Sequence, residues 1–460
     1  MKSTDFFEEA ATDEESGDRW LGSDLTKALR FYQKAYKEYQ QALANSSDLD
    51  IQYNIARLVY HVYSTYIETE LLEDLNTDDF LFGDTVVKPL DQIMNTHEQS
   101  MNGRESMDLS YNLGLVYIDV LETSQLSDDN VDVLQIYQKG QELFKNLINT
   151  QINQLRSFIN DLSKIDNDHS SSNEDPQSVT EAVTEEVLQP NDVFDTIVSG
   201  YKLIQAFLGN ITSIADIPSF QQVVGDFSLF LESIVGEFLN SFTESTNTQS
   251  QYLSSVTNNQ IIDYQITKAF ISSLISQSFT EINNFWDVVP PSAERFMSQS
   301  DAVQAIMDRN DDNDSTLWSG LTLITQTLKK AQDDLSERRK TTVEGLGKLN
   351  EQYAQVLIQR ADIDVQRGLL PLPQAQNSKE VLMKNARTFL TSAMRIANSS
   401  GGLRERAIEK AGRNKKKLES VARMCILDKK DEDQIMEIMG SVGPREITKV
   451  LKLDYYSALN

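Results

Sequence analysis

The chain has 460 residues, 42 Lys/Arg against 70 Asp/Glu, a net charge of −28 and a single cysteine. A negative surplus of that size repels phosphate backbones, so it disfavours direct nucleic-acid binding and favours basic partners. Cys425 has no internal disulfide partner, the N-terminus carries acids where a signal peptide needs an apolar run, and no apolar stretch reaches the roughly 18–20 residues that cross a bilayer; the expectation is a cytoplasmic protein, with the nucleus as a second setting.

Charge is unevenly placed. Residues 321–460 hold 25 Lys/Arg and 18 Asp/Glu, whereas residues 1–320 hold 17 and 52. Proline and glycine are sparse and apolar residues recur three and four apart, which predicts an all-α chain. Residues 1–22 are acidic and poor in aliphatics and read as a disordered tail. Ser23 or Asp24 then caps a helix whose Leu25, Ala28, Leu29, Tyr32 and Ala35 share one face, and a further helix begins near Ile51. Residues 167–190 form a polar, acidic stretch that reads as a flexible loop.

Beyond that loop, residues 191–307 hold three expected amphipathic helices, Val193–Leu208, Pro218–Phe242 and Ile261–Val288, without repeat residues. Residues 308–315 form a second acidic loop. Two helical runs, Thr316–Asp334 and Ser336–Gly368, follow, and Leu-Pro-Leu-Pro at 370–373 stops the second. Ala386, Leu390 and Ala393 suit a closely packed hairpin, and the basic helix from Leu403 to Cys425 reads as an end cap of the segment 316–460.

Two short copies, Tyr53-Asn54-Ile55-Ala56 and Tyr111-Asn112-Leu113-Gly114, carry a family likeness. They resemble the first helix of a tetratricopeptide repeat, a helical hairpin of about 34 residues that stacks on its neighbours. Ala35, Tyr39 and Ala42 resemble the second helix, with Tyr117, Val133, Tyr137 and Gly140 completing the pattern less regularly through residue 166. The resemblance implies TPR-like antiparallel hairpins forming an α-solenoid over 23–166 and 316–460, with a less regular helical middle. It also implies a partner-binding concave face on the first helices: Tyr53, Asn54, Arg57, Tyr60 and His61 in one copy, and Tyr111, Asn112, Leu115 and Asp119 in the other.

Tetratricopeptide proteins that grip chaperone tails use a lysine–asparagine–arginine set of which only Asn54 has a counterpart. Composition and architecture also resemble dedicated fungal chaperones of ribosomal proteins, which implies a Lys/Arg-rich client. Arg413, Lys415, Lys416 and Lys417 form a basic strip of the kind that serves nuclear targeting.

Chemistry finds no constellation. His61, His97 and His169 are scattered, Gly345-Leu-Gly347-Lys348 lacks phosphate-loop spacing, and the run from Asp308 has Asn313 and Ser319 where a calcium loop needs glycine and glutamate. The reading is a non-enzymatic protein-binding chain without catalytic residues, cofactor or metal, acting as a chaperone, escort or assembly factor. A constitutive scaffold subunit of a larger complex is the alternative.

Overall fold

The computed structural model describes residues 3–46, 48–101, 106–124, 132–168, 188–243, 256–276, 279–309 and 314–459. The expected loops at 167–190 and 308–315 lie largely outside these residues. Among the described residues every regular element is helical, as the sequence pattern requires, and the chain divides into two compact units. One comprises Met1–Pro89, Ser278–Trp286 and Pro290–Asn460; the other comprises Leu90–Gln277 and Asp287–Val289.

The first unit opens with α1 (Ser3–Leu21) and α2 (Leu25–Asn45), an antiparallel hairpin, followed by α3 (Leu49–Val62). Asp24 starts α2 by accepting the Lys27 amide at 2.9 Å, satisfying a donor that the first turn leaves open. Ala28, Tyr32, Ala35, Tyr39 and Ala42 of α2 are fully buried, which is the small–aromatic–small stripe expected of a packed hairpin.

The tail expected to be disordered is α1 itself. Ala10, Asp13, Glu14 and Gly17 lie on its packed side, and the Phe7 ring sits 5.8 Å from that of Tyr39. Two buried acids within the stripe hide its periodicity. A Cβ on Gly17 would lie 2.4 Å from the Tyr32 ring, so the hairpin closes only over glycine.

The same unit continues through α10 (Phe279–Trp286), α11 (Ala293–Asp308), α12 (Asp314–Thr341), α13 (Leu346–Leu369), α14 (Pro373–Ala397) and α15 (Ala407–Leu427). From α11 to α15 each helix packs on the next in chain order, a solenoid-like arrangement. The break between α12 and α13 falls at Gly345, whose φ of +71° suits glycine, instead of near Ser336.

The basic helix α15 is not the end of the chain. It is followed by α16 (Glu432–Met439), α17 (Gly443–Leu451) and α18 (Asp454–Ser457), because Met439, Val450 and Tyr456 join the α13–α15 core around Ala361, Leu390 and Ala422.

Inside this core Arg423 donates to Asp362 through Nε at 2.9 Å and Nη2 at 3.1 Å, and the Tyr456 hydroxyl donates to the same carboxylate at 2.9 Å. Burial pushes the Asp362 pKa up while Arg423 holds it down.

The second unit contains α4 (Leu90–Met101), α5 (Met107–Ser124), α6 (Val133–Asp168), α7 (Pro190–Gly209), α8 (Ile217–Thr243) and α9 (Asn258–Leu274). Helix α7 is apolar nearly all round and is accordingly covered by α5, α6, α8 and α9. Gly114, the small residue of the second repeat copy, lets the Phe144 ring approach to where a Cβ would stand 2.5 Å away. The single helix expected over Ile261–Val288 is instead α9 and α10. Serines 272, 273 and 276 weaken its middle, and the Ile275 amide closes the end of α9.

Two stability outcomes follow. Gly17→Val should cost about 1–3 kcal/mol by overpacking the α1–α2 contact, read as a lower denaturation midpoint with faster amide exchange in α1. Arg423→Met should cost about 3–5 kcal/mol by stranding Asp362, and Asp362→Leu in the same chain should restore part of the loss; equal losses in the single and double variants would contradict a charge-stranding cause.

Candidate functional site

The nine residues of the expected concave face divide between the two units: Tyr53, Asn54, Arg57, Tyr60 and His61 on α3 in the first, and Tyr111, Asn112, Leu115 and Asp119 on α5 in the second. All nine are half-buried. On α3, helix α1 meets Arg57 and His61. Arg57 Nη2 stands 2.6 Å from Glu14 Oε1, and the Tyr39 hydroxyl donates to the other oxygen of Glu14 at 3.1 Å.

His61 Nε2 lies 3.2 Å from the Tyr32 hydroxyl, which donates to Asp18 at 2.7 Å. Burial lowers the His61 pKa, with Asp18 pulling the other way, so the ring is neutral at neutral pH. This face is therefore filled in part by the acidic segment that was expected to be a free tail. On α5, the Tyr111 hydroxyl is 3.3 Å from Ser199 Oγ on α7, and the tyrosine helps to dock that central helix.

The expected targeting strip on α15 is also engaged. Arg413 is only 6% exposed and donates to Glu405 and to the Ala397 and Ser399 carbonyls. Lys415 Nζ donates to the Thr69 carbonyl at 3.0 Å, Lys416 to Glu419 at 2.8 Å and Lys417 to Asn398 at 2.9 Å. Of the expected strip, Arg413 and Lys417 thus bond the end of α14, Lys415 the loop residue Thr69, and Lys416 its own helix, while all three lysines stay half-exposed.

Further cations follow the same pattern. Lys449 reaches Glu70 at 2.9 Å and Glu73, and Arg445 reaches Asp74 at 2.6 Å, all within the first unit. Burial works against ionisation of Glu70, yet Lys449 and Lys415 overcome it and hold its pKa below the ordinary value.

An opposite balance holds in the second unit. Residues 90–277 contain 26 Asp/Glu and 7 Lys/Arg. Four of those cations are paired within the unit: Lys139 with Glu98, Arg156 with Glu237, Lys202 with Asp263 and Lys268 with Glu232. Lys145 lies over the Phe227 ring. Among the described acids, Asp91, Asp108, Glu122, Asp132, Glu142 and Asp226 are exposed.

The sequence reading missed an aromatic groove beside α2. Phe31, Phe80 and Phe82, with Arg30, Lys34 and Lys37, border a cavity of about 320 Å³ in the first unit. Phe82 is 61% exposed, and Lys37 Nζ stands 4.6 Å from its ring centroid. Arg30 pairs with Asp79 at 2.8 Å, and Lys34 with Asp13 at 2.6 Å and Glu38 at 3.4 Å, so the groove combines an apolar floor with largely compensated charge. Its only advance signal was the Phe80-Leu81-Phe82 run inside an aspartate-rich stretch without helical period. No group of three or more His, Cys, Asp or Glu side chains placed to hold a metal occurs among the described residues.

A family model described as the YNL193W C-terminal domain matches residues 287–450. The chain is similar to the uncharacterized protein YNL193W of Saccharomyces cerevisiae, 22% identical over 96% of this chain and 93% of that protein. It is also similar to UPF0656 protein C926.02 of Schizosaccharomyces pombe, 24% identical over 85% of this chain and 83% of the other. Among solved structures the S. pombe nuclear import adaptor Nro1 aligns at 12% identity over 87% of this chain and 96% of that one, with a TM-score of 0.28.

The Asp13–Glu38 contact makes the α1–α2 hairpin pH-sensitive. Burial, then the hydrogen bond and charge of Asp13, push the Glu38 pKa up to about 7 against the pull of Lys34. The folded state therefore holds a proton that the unfolded state releases near its ordinary value, and hairpin stability falls as pH rises from the ordinary carboxylate range to about 7. Amide protection factors in α1, taken relative to the intrinsic base-catalysed rate at each pH, should fall over that interval, and Glu38→Gln should flatten the response. An unchanged profile in the variant would assign the dependence elsewhere.

Proposed function

We propose that this chain is a non-catalytic, protein-binding protein of tetratricopeptide-like helical hairpins that escorts a Lys/Arg-rich client, a ribosomal protein being one such class. The observation that carries the reading is the charge of residues 90–277, where 26 acids face 7 cations and most of those cations are already paired. Such a field accelerates encounter with a basic segment and discriminates against acidic ones. The groove at Phe31, Phe80 and Phe82 offers apolar contact, which supplies affinity where charge supplies rate.

A client presented in this way is shielded from nucleic acid until it reaches its assembly site. An escort of that kind works in the cytoplasm and, where its client is assembled there, in the nucleus. The scaffold alternative drew on the basic C-terminal third as a second docking surface. The contacts of Lys415, Arg445 and Lys449 with Thr69, Glu70, Glu73 and Asp74 favour the escort reading, because they engage that basicity within the chain.

Affinity purification of the tagged protein tests the reading, at about 0.1 M and about 1 M salt, where the screening length falls from about 10 to about 3 Å. A sub-stoichiometric lysine-rich protein retained only at low salt is expected, and Phe82→Ala should weaken its retention further. A salt-resistant complex of fixed stoichiometry would make the chain a scaffold subunit, and the absence of any basic partner at low salt would end the escort proposal.

A further inference from the structure

The groove beside α2 has two unlike walls. On one side, separations of three and four residues place Arg30, Phe31, Lys34 and Lys37 on a single face of the helix. The other side is Asp79, Phe80 and Phe82, from the chain that follows α3. This second wall is held both before and after the exposed ring. The Phe80 and Leu81 amides donate to the Thr77 carbonyl at 3.1 and 2.9 Å, and Gly83 turns the chain at a φ of +71°. Beyond the turn the Asp84 carboxylate accepts from Tyr36 at 3.3 Å and is also bonded by Gln40 and Lys88, while Gln33 Oε1 accepts the Val86 amide at 2.8 Å. Phe80 packs into the unit, whereas Phe82 stays 61% exposed on backbone that is fixed. A ring presented in that way beside a cleft of about 320 Å³ has the geometry of a preformed contact site.

The lips of the groove also invert the local charge. Residues 1–320 hold 52 Asp/Glu against 17 Lys/Arg, yet the groove is lined by three cations and a single acid, Asp79. Arg30 is answered by Asp79, and Lys34 by Asp13 and Glu38. Lys37 makes no ion pair among the described residues, and its ammonium lies over the Phe82 ring. One positive charge thus stands at the edge of an aromatic floor, and its complement is one carboxylate beside an apolar group. A phosphate backbone fits poorly, because its repeated charges would meet Asp79 and the acidic surplus of this part of the chain.

We propose that this groove docks a short peptide segment in which an apolar side chain stands next to a carboxylate, the apolar group lying against Phe31, Phe80 and Phe82 and the carboxylate on Lys37. Lys37 Nζ is 4.6 Å from the Phe82 ring centroid, so the acid belongs to a residue about one or two positions from the apolar side chain, given about 3.8 Å between successive Cα atoms. The proposal deepens the escort reading and rests on it for the source of the segment, the client. A client is then recognised by two elements of opposite character: a basic tract drawn by the acids of residues 90–277, and an apolar–acidic element read by this groove.

The test measures fluorescence anisotropy of labelled, amidated peptides with the full-length protein. The probes are Gly-Glu-Phe-Glu-Gly, Gly-Lys-Phe-Lys-Gly and Gly-Glu-Ser-Glu-Gly, with labelled decalysine reporting on the acidic field. The first peptide should bind at least about tenfold more tightly than the second and third. Phe82→Ser removes an exposed ring and should weaken the first peptide about tenfold at an unchanged denaturation midpoint. Lys37→Glu, a second exposed-edge variant, should weaken it by a similar factor, about tenfold, and turn the preference toward the lysine peptide.

Equal affinity for the phenylalanine and serine peptides, a wild-type preference for the lysine peptide, or indifference to both substitutions overturns the groove assignment. Self-association lost in Phe82→Ser would give the groove to a second copy of the chain, and Phe82-dependent binding of oligouridine would give it to nucleic acid; either result also overturns the proposal. Salt-sensitive decalysine binding alongside such a failure leaves the escort reading standing. Groove-dependent peptide binding without uptake of decalysine at low salt supports the docking site, removes the escort reading and assigns the segment to a partner other than a basic client.

Discussion

The buried contact of Asp362 with Arg423 and Tyr456 is the interaction on which the larger unit depends. It ties α13, α15 and α18 together at a point where removing Arg423 strands a charge, and removing Asp362 strands a charge and a hydroxyl, away from water. Such a contact specifies a single arrangement, because the guanidinium plane and the phenol must both reach the same carboxylate. It also borders a cavity of about 270 Å³ lined by the buried Ile324, Leu328 and Ile363, to whose wall Asp362 contributes a carboxylate that is already bonded, while Asp301 at the same cavity is exposed.

Charge elsewhere follows a division between the two units. In the first, the basic C-terminal third meets carboxylates of the early loop, so that much of its +7 surplus over residues 321–460 is engaged inside the fold. Each of these pairs is partly exposed and worth little alone, typically about 0–1 kcal/mol. Their value lies in being networked, with Lys415 and Arg445 also bonded to the Thr69 and Glu73 carbonyls and the Ala407 amide bonded to Gly22 O at 2.8 Å. In the second unit no comparable basic segment is present, and the acids of α4–α8 keep their field.

Helical class and several packed stripes were legible in the sequence because they rest on local period. Ala35, Tyr39 and Ala42, and Ala386, Leu390 and Ala393, fall in the core where their spacing places them. What was not legible depends on pairs remote in the chain. Helix α1 reads as a polar tail because its buried face includes Asp13 and Glu14, whose partners Lys34, Tyr39 and Arg57 lie on other helices. The cavity at Asp301 draws on residues between Ser300 and Tyr455 that share no motif. Helix ends set by one glycine or a few serines, as at Gly345 and Ser272–Ser276, moved by several residues for the same reason.

The first unit is discontinuous: Met1–Pro89 finds its partners only after Pro290, with the second unit encoded between them. During synthesis the early hairpin emerges long before Lys415, Arg445 and Lys449 exist. At about 5–20 residues per second the wait is on the order of tens of seconds, and the intervening unit can complete itself meanwhile. Glu70, held at a φ of +55° beside Lys415 and Lys449, is then fixed only once those two lysines have been made. Completion of this unit thereby reports that synthesis has passed residue 449, since a chain cut short before α17 leaves Glu70, Glu73 and Asp74 without Arg445 and Lys449.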